Sequence, residues 1–500
     1  MDGLRRGAAQ PMSVAHPHTL ETTIGLEIHV ELATASKMFC GCKVAFGGEP
    51  NTRTCPVCLG LPGSLPVVNE RAIEFTTRIG LAFNCSIASR SLFARKNYFY
   101  PDMPKNYQIS QYELPLATQG HLDLDTESGP VGVGITRVHL EEDTGGSLHI
   151  GGSGRIADSE YSLEDYNRAG TALVEIVTEP DLQTAEQARL FVAELRAIVE
   201  ALGVSDVRME EGSLRVDANI SVRRAGEVEH GAKVEVKNMN SIRSVGRALE
   251  YEEERQRKAL EAGEMLVQET RHFDEKTGTT SSLRTKEYAF DYRYFPEPDL
   301  VPFEAADEWI DSLRANQPEL PAERRLRWKQ TYGLPPGDVV VLAASKATAV
   351  WFEAAASAYE GDAKKVANWI IADLFGRLNE AGIGLAECRI APAQLAGLVG
   401  LVDDGAISGK QAKEVLGHMF VTGDDAAQVV REKGLEQESD TAVLAAVVEE
   451  VIAENSEAAD KVRAGQLNTI GFLVGRVMRK TKGSANPKLV TELLRAKLSG

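Results

Sequence analysis

The 500-residue sequence has no long apolar segment and no standard nucleotide-binding loop. No run approaches the ~18–20 apolar residues of a membrane-spanning helix, and the longest candidate, residues 366–375, is interrupted by Asn368 and Asp373. The motifs GxxxxGK(S/T) and GxGxxG are both absent, which removes the P-loop and the dinucleotide fingerprint. The first twenty residues lack the apolar core of a signal peptide. We therefore expect a cytoplasmic protein that does not enter a membrane, with a disordered extension over residues 1–20.

Cysteine is scarce, but four of the six cysteines lie close together in the sequence. Cys40 and Cys42 form one short pair, and Cys55 and Cys58 form a second. Two short pairs separated by a loop are typical of a structural zinc site with four thiolate ligands. Free buried thiols or a disulfide are the alternatives. A zinc ion held by four thiolates has no open position for chemistry, so its predicted role is to hold a loop.

Basic residues are outnumbered, and the net charge of −18 argues at first sight against a nucleic-acid partner. The average conceals a reversal near the C-terminus. Residues 421–460 carry 2 basic and 11 acidic side chains, whereas residues 461–500 carry 9 basic and 1 acidic side chain. A localised positive end favours an anionic partner more than the total charge suggests.

Strand-like segments of the first 300 residues each contain isolated carboxylates or histidines. In residues 23–32 the apolar side chains alternate with Glu27, His29 and Glu31, which places these three on one face of a strand. Later segments repeat the pattern with His139, Glu141, Glu142, Asp143, Glu175 and Asp217. A solvated strand face is the alternative for each segment alone. Together, four such strands predict a shared Mg²⁺ or Mn²⁺ site and a reaction of a metal–nucleotide complex.

Strands and helices alternate irregularly up to about residue 300, and only helical patterns follow. The absence of a regular βαβ repeat predicts an α+β domain with a largely antiparallel sheet. We expect three domains, over residues 21–301, 302–411 and 412–500. Two aromatic loops, residues 96–111 and 291–299, interleave rings with Lys and Arg; they could stack on bases, or pack their rings against the sheet.

Long motifs in this sequence resemble those of GatB, the B-subunit family of the aspartyl/glutamyl-tRNA amidotransferases. The matching segments include IGLEIHVEL, RKNYFYPDMPKNYQISQYE, ITRVHLEEDTG, DYNRAGTALVEIVTEPD, MEEGSLRVDANIS, VEVKNMNS and DYRYFPEPDL. The segment GQLNTIGFLVGRVMRKTKGSANP resembles the YqeY-like C-terminal module of the same family. The resemblance covers nearly the whole chain after the first twenty residues.

The resemblance implies a glutamine-synthetase-like β cradle, then a helical domain and a small all-α YqeY-like tail. It implies a two-step reaction on mischarged Glu-tRNA(Gln) or Asp-tRNA(Asn). ATP would phosphorylate the side-chain carboxylate, and ammonia released from glutamine by the GatA subunit would displace phosphate in a heterotrimer with GatC. A non-catalytic tRNA-binding scaffold is the alternative, although such a scaffold has no need for several inward-facing carboxylates.

The family's metal ligands correspond to residues that the strand pattern also selects. They are Glu27, His29, Glu142, Glu175 and Asp217, with Glu141 as a possible substitute for Glu142. Catalytic roles are expected for Glu27, His29, Glu142 and Glu175. Two features differ from much of the family: zinc cysteines occur in only part of it, and Gly146 stands where a lysine is usual.

The basic tail is the expected tRNA-binding surface. Arg476, Arg479 and Lys480 follow helical spacings of three and four, and Lys482 lies just beyond them. Phosphate contacts by such residues would make tRNA binding strongly salt-dependent. A solvated basic helix is the alternative.

Overall fold

The computed structural model describes residues 20–151, 159–227, 231–285, 289–435, 441–481 and 485–498. The extension expected over residues 1–20 lies outside these ranges except for Leu20, which already begins the first strand. The chain divides into two compact units, Met1–Leu320 and Pro321–Gly500. The first contains the sheet and the second is helical, which confirms the predicted α+β class.

The first unit is built on a nine-stranded sheet whose neighbours are antiparallel except for one parallel pair, β12 and β13. Its order is β14-β13-β12-β11-β1-β10-β7-β6-β2. Its strands are β1 Leu20–Glu31, β2 Ser86–Ile87, β6 Ala117–Thr126, β7 Gly129–Glu142, β10 Ala172–Thr178, β11 Leu214–Arg224, β12 Val234–Met239, β13 Glu269–Asp274 and β14 Thr279–Thr285. Smaller sheets contain β3 Arg90–Ser91, β4 Ala94–Asn97, β5 Tyr107–Ser110, β8 Gly146–Ile150, β9 Tyr161–Asp165, β15 Phe295–Pro296 and β16 Phe303–Glu304.

Strand β1 lies in the middle of the sheet because one of its faces is entirely apolar. Ile24, Leu26, Ile28 and Val30 have no exposed surface. They share a core with the apolar sides of the helices α1 Glu70–Ala82, α2 Ala185–Leu202 and α3 Ile242–Glu261. Since side chains alternate along a strand, the opposite face of β1 receives its polar residues. The helical layer thus fixes which face is available for chemistry.

Capping residues set the limits of the helices that cover the sheet. The Thr184 hydroxyl accepts a hydrogen bond from the Gln187 amide at the start of α2, and Gly203 ends that helix with a φ of 70°. The Ser241 hydroxyl accepts from the Ser244 amide at the start of α3. Each cap satisfies an amide that would otherwise lack a partner.

The second unit contains two separate hydrophobic cores. The first core runs from Trp328 to Val430 and includes Ala412, Val415, Leu416 and Met419; the second runs from Leu444 to Leu498. The helices of this unit are α5 Pro321–Tyr332, α6 Pro336–Leu342, α7 Lys346–Ser357, α8 Ala363–Trp369, α9 Phe375–Ala381, α10 Pro392–Asp403, α11 Gly409–Thr422, α12 Ala426–Lys433, α13 Thr441–Glu454, α14 Ser456–Arg463, α15 Ile470–Lys480 and α16 Pro487–Leu498. A π-helical turn, Ile370–Leu374, joins α8 to α9.

The limits of the observed units and cores do not coincide with the expected domain boundaries. Helix α4, Asp307–Ala315, belongs to the first unit, whereas the sequence pattern suggested a boundary after residue 301. Helices α11 and α12 complete the first helical core, although the boundary was expected after residue 411. Their apolar sides explain the difference, because these residues need the preceding helices to bury them.

Within the described ranges, no single helix is long and apolar enough to cross a membrane. The helices α6 and α7 reach that length and composition only as a pair bent by 116°.

Candidate functional site

Four central strands place polar side chains in one row across the sheet. The row consists of four cross-strand partners: Arg215 on β11, His29 on β1, Glu175 on β10 and His139 on β7. The pairings Asp217–Glu27 and Leu173–Glu141 form the neighbouring rows on either side. All of these residues project from the face opposite the helical layer. The register therefore brings together residues more than 100 positions apart in the sequence.

A compact candidate metal site forms from His29, Glu141 and Glu175. One ligand atom from each residue lies within 4.8 Å of the other two. The His29 Nε2 atom is 3.7 Å from Glu141 Oε1 and 3.5 Å from Glu175 Oε2. Both glutamates are buried. One imidazole and two carboxylates form a hard donor set that fits a divalent cation.

Electrostatics within this cluster stabilise Glu175 as an anion. Burial alone would raise the pKa of Glu175, but the nearby His139 ring, a hydrogen bond from His29, and the charges of His29 and Lys96 hold that pKa well below its usual range. Burial and the nearby Glu175 raise the pKa of Glu141. Burial would lower the pKa of His29, but hydrogen bonding to Glu175 and the surrounding carboxylates raise it. Carboxylate repulsion in the cluster is thus balanced by neighbouring cations.

Glu142 lies on the other face of strand β7 and does not join the cluster. Its carboxylate forms an ion pair with Lys105 and accepts a hydrogen bond of 2.9 Å from the Ile109 amide. Consecutive residues on a strand point to opposite faces, so Glu141 and Glu142 cannot share one site. The structure places Glu141, the residue considered as a substitute, beside His29.

Glu27 and Asp217 lie one row away from the three clustered ligands. The Glu27 carboxylate accepts a hydrogen bond of 2.9 Å from Asn219 Nδ2. Asp217 is paired with Lys237 at 2.8 Å. They belong to the same polar face, but the described structure does not bring them into the three-residue ligand cluster.

Two cationic groups beside the cluster, Arg137 and Lys96, were not predicted, and His139 belonged to the strand pattern but was given no role. Arg137 Nη2 is 3.6 Å from Glu175 Oε1, and His139 Nε2 is 3.6 Å from Glu175 Oε2. Burial lowers the pKa of His139 to about 4, so the ring is neutral near pH 7. Lys96 comes from β4, and the charges of Glu141 and Glu175 outweigh its burial and raise its pKa. The alternation that selects His139 on β7 could also have identified Arg137, but only the fold brings Lys96 here.

The four clustered cysteines form a second candidate metal site. Their sulfur atoms all lie within 4.8 Å of one another, and all four are free thiols without disulfides. Lys37, which is 1% exposed, places its Nζ 3.7 Å from Cys58 Sγ. A hydrogen bond with Cys40 lowers the pKa of Cys58 to about 4. Four sulfur donors at one point fit a soft or borderline cation.

A second charged cluster lies next to β1, and two of its members, Glu31 and Arg168, line a cavity of about 530 Å³. Asp143 pairs with Arg215 at 2.7 Å and with Arg168 at 3.6 Å. Burial and Asp143 raise the pKa of Glu31 to about 8, whereas the two arginines outweigh burial and lower the pKa of Asp143 to about 2. Gly146 lines the same cavity and contributes no side chain to it.

The predicted basic surface of the tail is partly engaged within the chain. Lys480 forms ion pairs of 2.8 Å with Glu450 and 2.7 Å with Glu454. The guanidinium of Arg476 lies 5.2 Å from the centroid of the Phe472 ring. Arg476 and Arg479 are exposed. Lys482 lies outside the described residues.

Comparison with known proteins first defines the class of this chain. Residues 22–311 match the GatB/GatE catalytic domain, and residues 350–498 match the GatB domain. The part of the chain that contains the sheet and the histidine–carboxylate cluster therefore matches a catalytic domain of the GatB/GatE class.

Relatives with defined names narrow this class to one family. The chain is 50% identical over 479 residues to the B subunit of the aspartyl/glutamyl-tRNA(Asn/Gln) amidotransferase of Carboxydothermus hydrogenoformans, covering 96% of this chain and 99% of the relative. It is 52% identical over 478 residues to the corresponding protein of Moorella thermoacetica, with the same two coverages. The chain belongs to the GatB family, and it is one component of a glutamine-dependent tRNA amidotransferase.

Proposed function

We propose that this chain activates and amidates the side-chain carboxylate of Glu-tRNA(Gln), Asp-tRNA(Asn) or both. ATP would phosphorylate the carboxylate, and ammonia would then displace phosphate from the acyl phosphate. The convergence of His29, Glu141 and Glu175 at one point of the polar sheet face carries this proposal. A scaffold that only binds anionic tRNA would gain nothing from burying two glutamates there, because buried carboxylates repel phosphate and need partners.

The donor set of His29, Glu141 and Glu175 would hold Mg²⁺. When bound, this ion supplies charge neutralisation for the phosphate oxygens of ATP. Lys96 and Arg137 lie beside the same carboxylates. They would bind the equatorial oxygens of the transferring phosphoryl group, where negative charge is spread in the transition state. Phosphoryl transfer depends mainly on such positioning and electrostatic stabilisation.

His139 would orient Glu175 without adding charge. Its Nε2 atom faces the Glu175 carboxylate at 3.6 Å, and its lowered pKa keeps the ring neutral near pH 7. A neutral ring that donates from Nε2 holds the carboxylate in place and leaves its charge available for a cation. Glu27 and Asp217 lie one row away. They would contact the outer ligands of the Mg²⁺ ion in its complex with ATP.

The four cysteines would hold a structural Zn²⁺. Other surfaces of the chain would bind the partner subunits and the tRNA. We propose that the glutaminase GatA supplies ammonia and that GatC completes the heterotrimer. The C-terminal core with Arg476 and Arg479 would bind the body of the tRNA. Exposed cationic side chains of this kind contribute sequence-independent affinity through phosphate contacts.

The substitution Glu175→Gln tests the proposed phosphorylation. It keeps the side-chain volume and removes the charge, so tRNA-dependent release of phosphate from ATP should fall by about 100-fold or more. Glutamine hydrolysis in the absence of tRNA should change little, because that reaction belongs to the partner GatA. The control is Glu186→Gln, which changes an exposed glutamate on α2 paired with Arg189. A Glu175→Gln complex that phosphorylates tRNA at the wild-type rate would rule out this site.

A further inference from the structure

Lys37 is buried without a carboxylate partner among the residues that the structure describes. It lies between β1 and the first cysteine pair and is 1% exposed. No Asp or Glu of the described residues forms an ion pair with it. Its Nζ atom donates instead to Cys58 Sγ at 3.7 Å and to the carbonyl of Tyr166 at 3.1 Å. A buried ammonium is costly unless an anion offsets its charge, so the surroundings of Lys37 have to supply one.

The carboxylate nearest to Lys37 is already paired with another lysine. A Cβ atom added at Gly170 would lie 3.5 Å from Lys37 Cδ, 3.5 Å from Cys58 Cβ and 3.8 Å from Glu142 Oε2, so these three side chains meet beside the glycine. The carboxylate of Glu142 forms its ion pair with Lys105 and also accepts from a backbone amide. The cysteine cluster is therefore the neighbour that remains to offset the charge of Lys37.

Cys58 is the buried member of that cluster and accepts two hydrogen bonds. Its Sγ atom accepts from Lys37 Nζ and, at 3.1 Å, from the backbone amide of Cys55. The other three cysteines are only half-buried. Two N–H donors directed at one sulfur favour its thiolate form, which is the form that binds a metal ion.

A metal ion in the cluster would produce the negative charge that Lys37 needs. The four sulfur atoms lie within 4.8 Å of one another, which fits a tetrahedral thiolate site. A divalent ion held by four thiolates keeps two formal negative charges. An ammonium in contact with one of these thiolates offsets one of the two charges without occupying a coordination position.

The contacts of Lys37 also join the two halves of the cysteine site. Its backbone amide donates to the carbonyl of Cys42 at 3.0 Å, in the first cysteine pair, whereas its side chain reaches Cys58 in the second pair. The bond to the Tyr166 carbonyl fixes the end of the side chain from the opposite direction. Groups around the ligands of a metal that are held in this way orient the ligands and tune the metal.

We infer that Lys37 is a positioning residue of the cysteine metal site. Its ammonium offsets part of the thiolate charge and holds Cys58 in the orientation in which its sulfur binds the ion. The inference rests on the zinc assignment within the proposed function, and it does not depend on the phosphorylation of tRNA. A lysine that only filled space in the loop would leave the charge on the sulfur unchanged.

Substitutions of Lys37 in the intact heterotrimer test this role. Lys37→Met keeps an unbranched side chain and removes the charge and the donor, whereas Lys37→Arg keeps both. Lys37→Gln keeps a donor without the charge and serves if the methionine variant does not fold. Lys43→Met is the matched control, because Lys43 follows Cys42 directly but is exposed. Thermal unfolding shows whether each complex is folded.

The first measurement is zinc affinity by competition with a chelator of known affinity. The Cys55→Ser complex gives the background from metal bound elsewhere. Lys37→Met should bind zinc about 10-fold or more weakly than the wild type, because it loses a hydrogen-bond donor to a ligand. Lys37→Gln should also bind more weakly than the wild type, while Lys37→Arg and Lys43→Met should remain close to it.

The second measurement is the absorption spectrum of the complex with Co²⁺ in place of zinc. A hydrogen bond from a cation lowers the energy of the sulfur lone pairs, so its loss makes charge transfer from sulfur to cobalt easier. The charge-transfer band should therefore move to longer wavelength in Lys37→Met and return towards the wild-type position in Lys37→Arg. Loosening of the loop alone would weaken binding without this shift and its recovery.

Folded Lys37→Met and Lys37→Gln complexes with the zinc affinity and the cobalt spectrum of the wild type would overturn the inference. Equal loss of affinity in Lys37→Met and Lys37→Arg, with unchanged spectra, would also overturn it, because packing would then explain the effect. A wild-type complex without metal above the Cys55→Ser background would overturn the zinc assignment together with the role of Lys37. Failure of the proposed phosphorylation is a different result: zinc would bind normally but mischarged tRNA would not be phosphorylated, and the two metal measurements would still decide the role of Lys37.

Discussion

At the scale of single residues, the alternation of a strand decides which carboxylate serves the candidate metal site. Glu141 and Glu142 are adjacent and chemically identical, and both are buried. Glu141 faces His29, and Glu142 binds Lys105 on the other side of the sheet. One position in the sequence therefore separates a candidate metal ligand from a carboxylate that is paired within the protein.

A pair of isosteric substitutions should separate these two roles. Glu141→Gln should lower tRNA-dependent phosphate release by about 100-fold, because it removes a carboxylate of the proposed catalytic site. It should cost little thermal stability, because it also removes a repulsive charge from the cluster. Glu142→Gln should lower the midpoint of thermal unfolding, because it leaves the Lys105 ammonium without its anionic partner, at a cost of about 3 kcal/mol. Steady-state kinetics and calorimetry of both variants measure this contrast. Equal kinetic effects, with equal stabilities, would contradict the division of roles.

Glu31 should make the stability of the first unit depend on pH. Burial and Asp143 raise its pKa in the folded protein to about 8 from an ordinary value of 4.5. Because the folded state prefers the protonated acid, its contribution to stability is complete below about pH 4.5 and is lost as the pH rises through 8. Glu31→Gln should therefore stabilise the protein at pH 9 by about 2 kcal/mol or more and change little at pH 4.5. Urea unfolding at the two pH values measures the difference; a pH-independent effect would contradict the raised pKa.

Part of this site can be predicted directly from the sequence. Glu27, His29 and Glu175 stand out because each interrupts apolar strand residues, and the common face of Glu27 and His29 follows from alternation alone. Lys96 could not be assigned because its neighbours Glu141 and Glu175 are distant in sequence and meet it only through packing of β4 near the sheet. The choice between Glu141 and Glu142 needed the register of β7 with β10, which a single sequence does not determine.

At the scale of structural elements, the cysteine-containing loop connects β1 to α1. Asn69 caps α1 by accepting from the Arg71 amide, and its own Nδ2 donates to the carbonyls of Ser36 and Lys37. Lys37 also donates to the carbonyl of Tyr166. A metal ion on the four cysteines would thus fix the loop to the start of α1 and to a distant segment of the chain.

Removal of one cysteine should loosen this loop without unfolding the sheet. Cys55→Ser should eliminate bound zinc and increase hydrogen exchange across residues 39–68, because a structural zinc site needs all four ligands. Cys388→Ser is the control, since Cys388 lies in the second unit and outside the cluster. Metal analysis by mass spectrometry and hydrogen exchange measure the two effects. Wild-type protein without zinc, prepared in the absence of chelators, would contradict the assignment.

At the scale of the whole molecule, helices α11 and α12 determine where the tail can be separated. They were expected to belong to the tail because glycines near residue 405 resemble a boundary. Instead, Ala412, Val415, Leu416, Met419 and Val429 are fully buried in the core of the preceding helices. Glycine marks turns within a domain as readily as turns between domains, and only the packing distinguishes them.

Two truncations should therefore behave differently. A chain ending at Leu435 keeps the first helical core, so its unfolding midpoint should remain close to that of the full chain. Its apparent KM for mischarged tRNA should rise and depend less on salt, because the basic helix is missing. A chain ending before Ala412 loses several buried side chains, each worth about 2–5 kcal/mol, and should unfold or aggregate. Calorimetry and kinetics at several salt concentrations measure these outcomes; equal stability of the two truncations would contradict the core assignment.

The central position of β1 also has a consequence for protein synthesis. This strand leaves the ribosome well before its partners β10 and β11, which end at Thr178 and Arg224. At ~5–20 residues per second, an apolar strand waits roughly 10–40 s before its neighbours are available. During that time Ile24, Leu26, Ile28 and Val30 have no sheet to enter. We expect the nascent chain to depend on a chaperone that binds extended apolar segments until β11 has emerged.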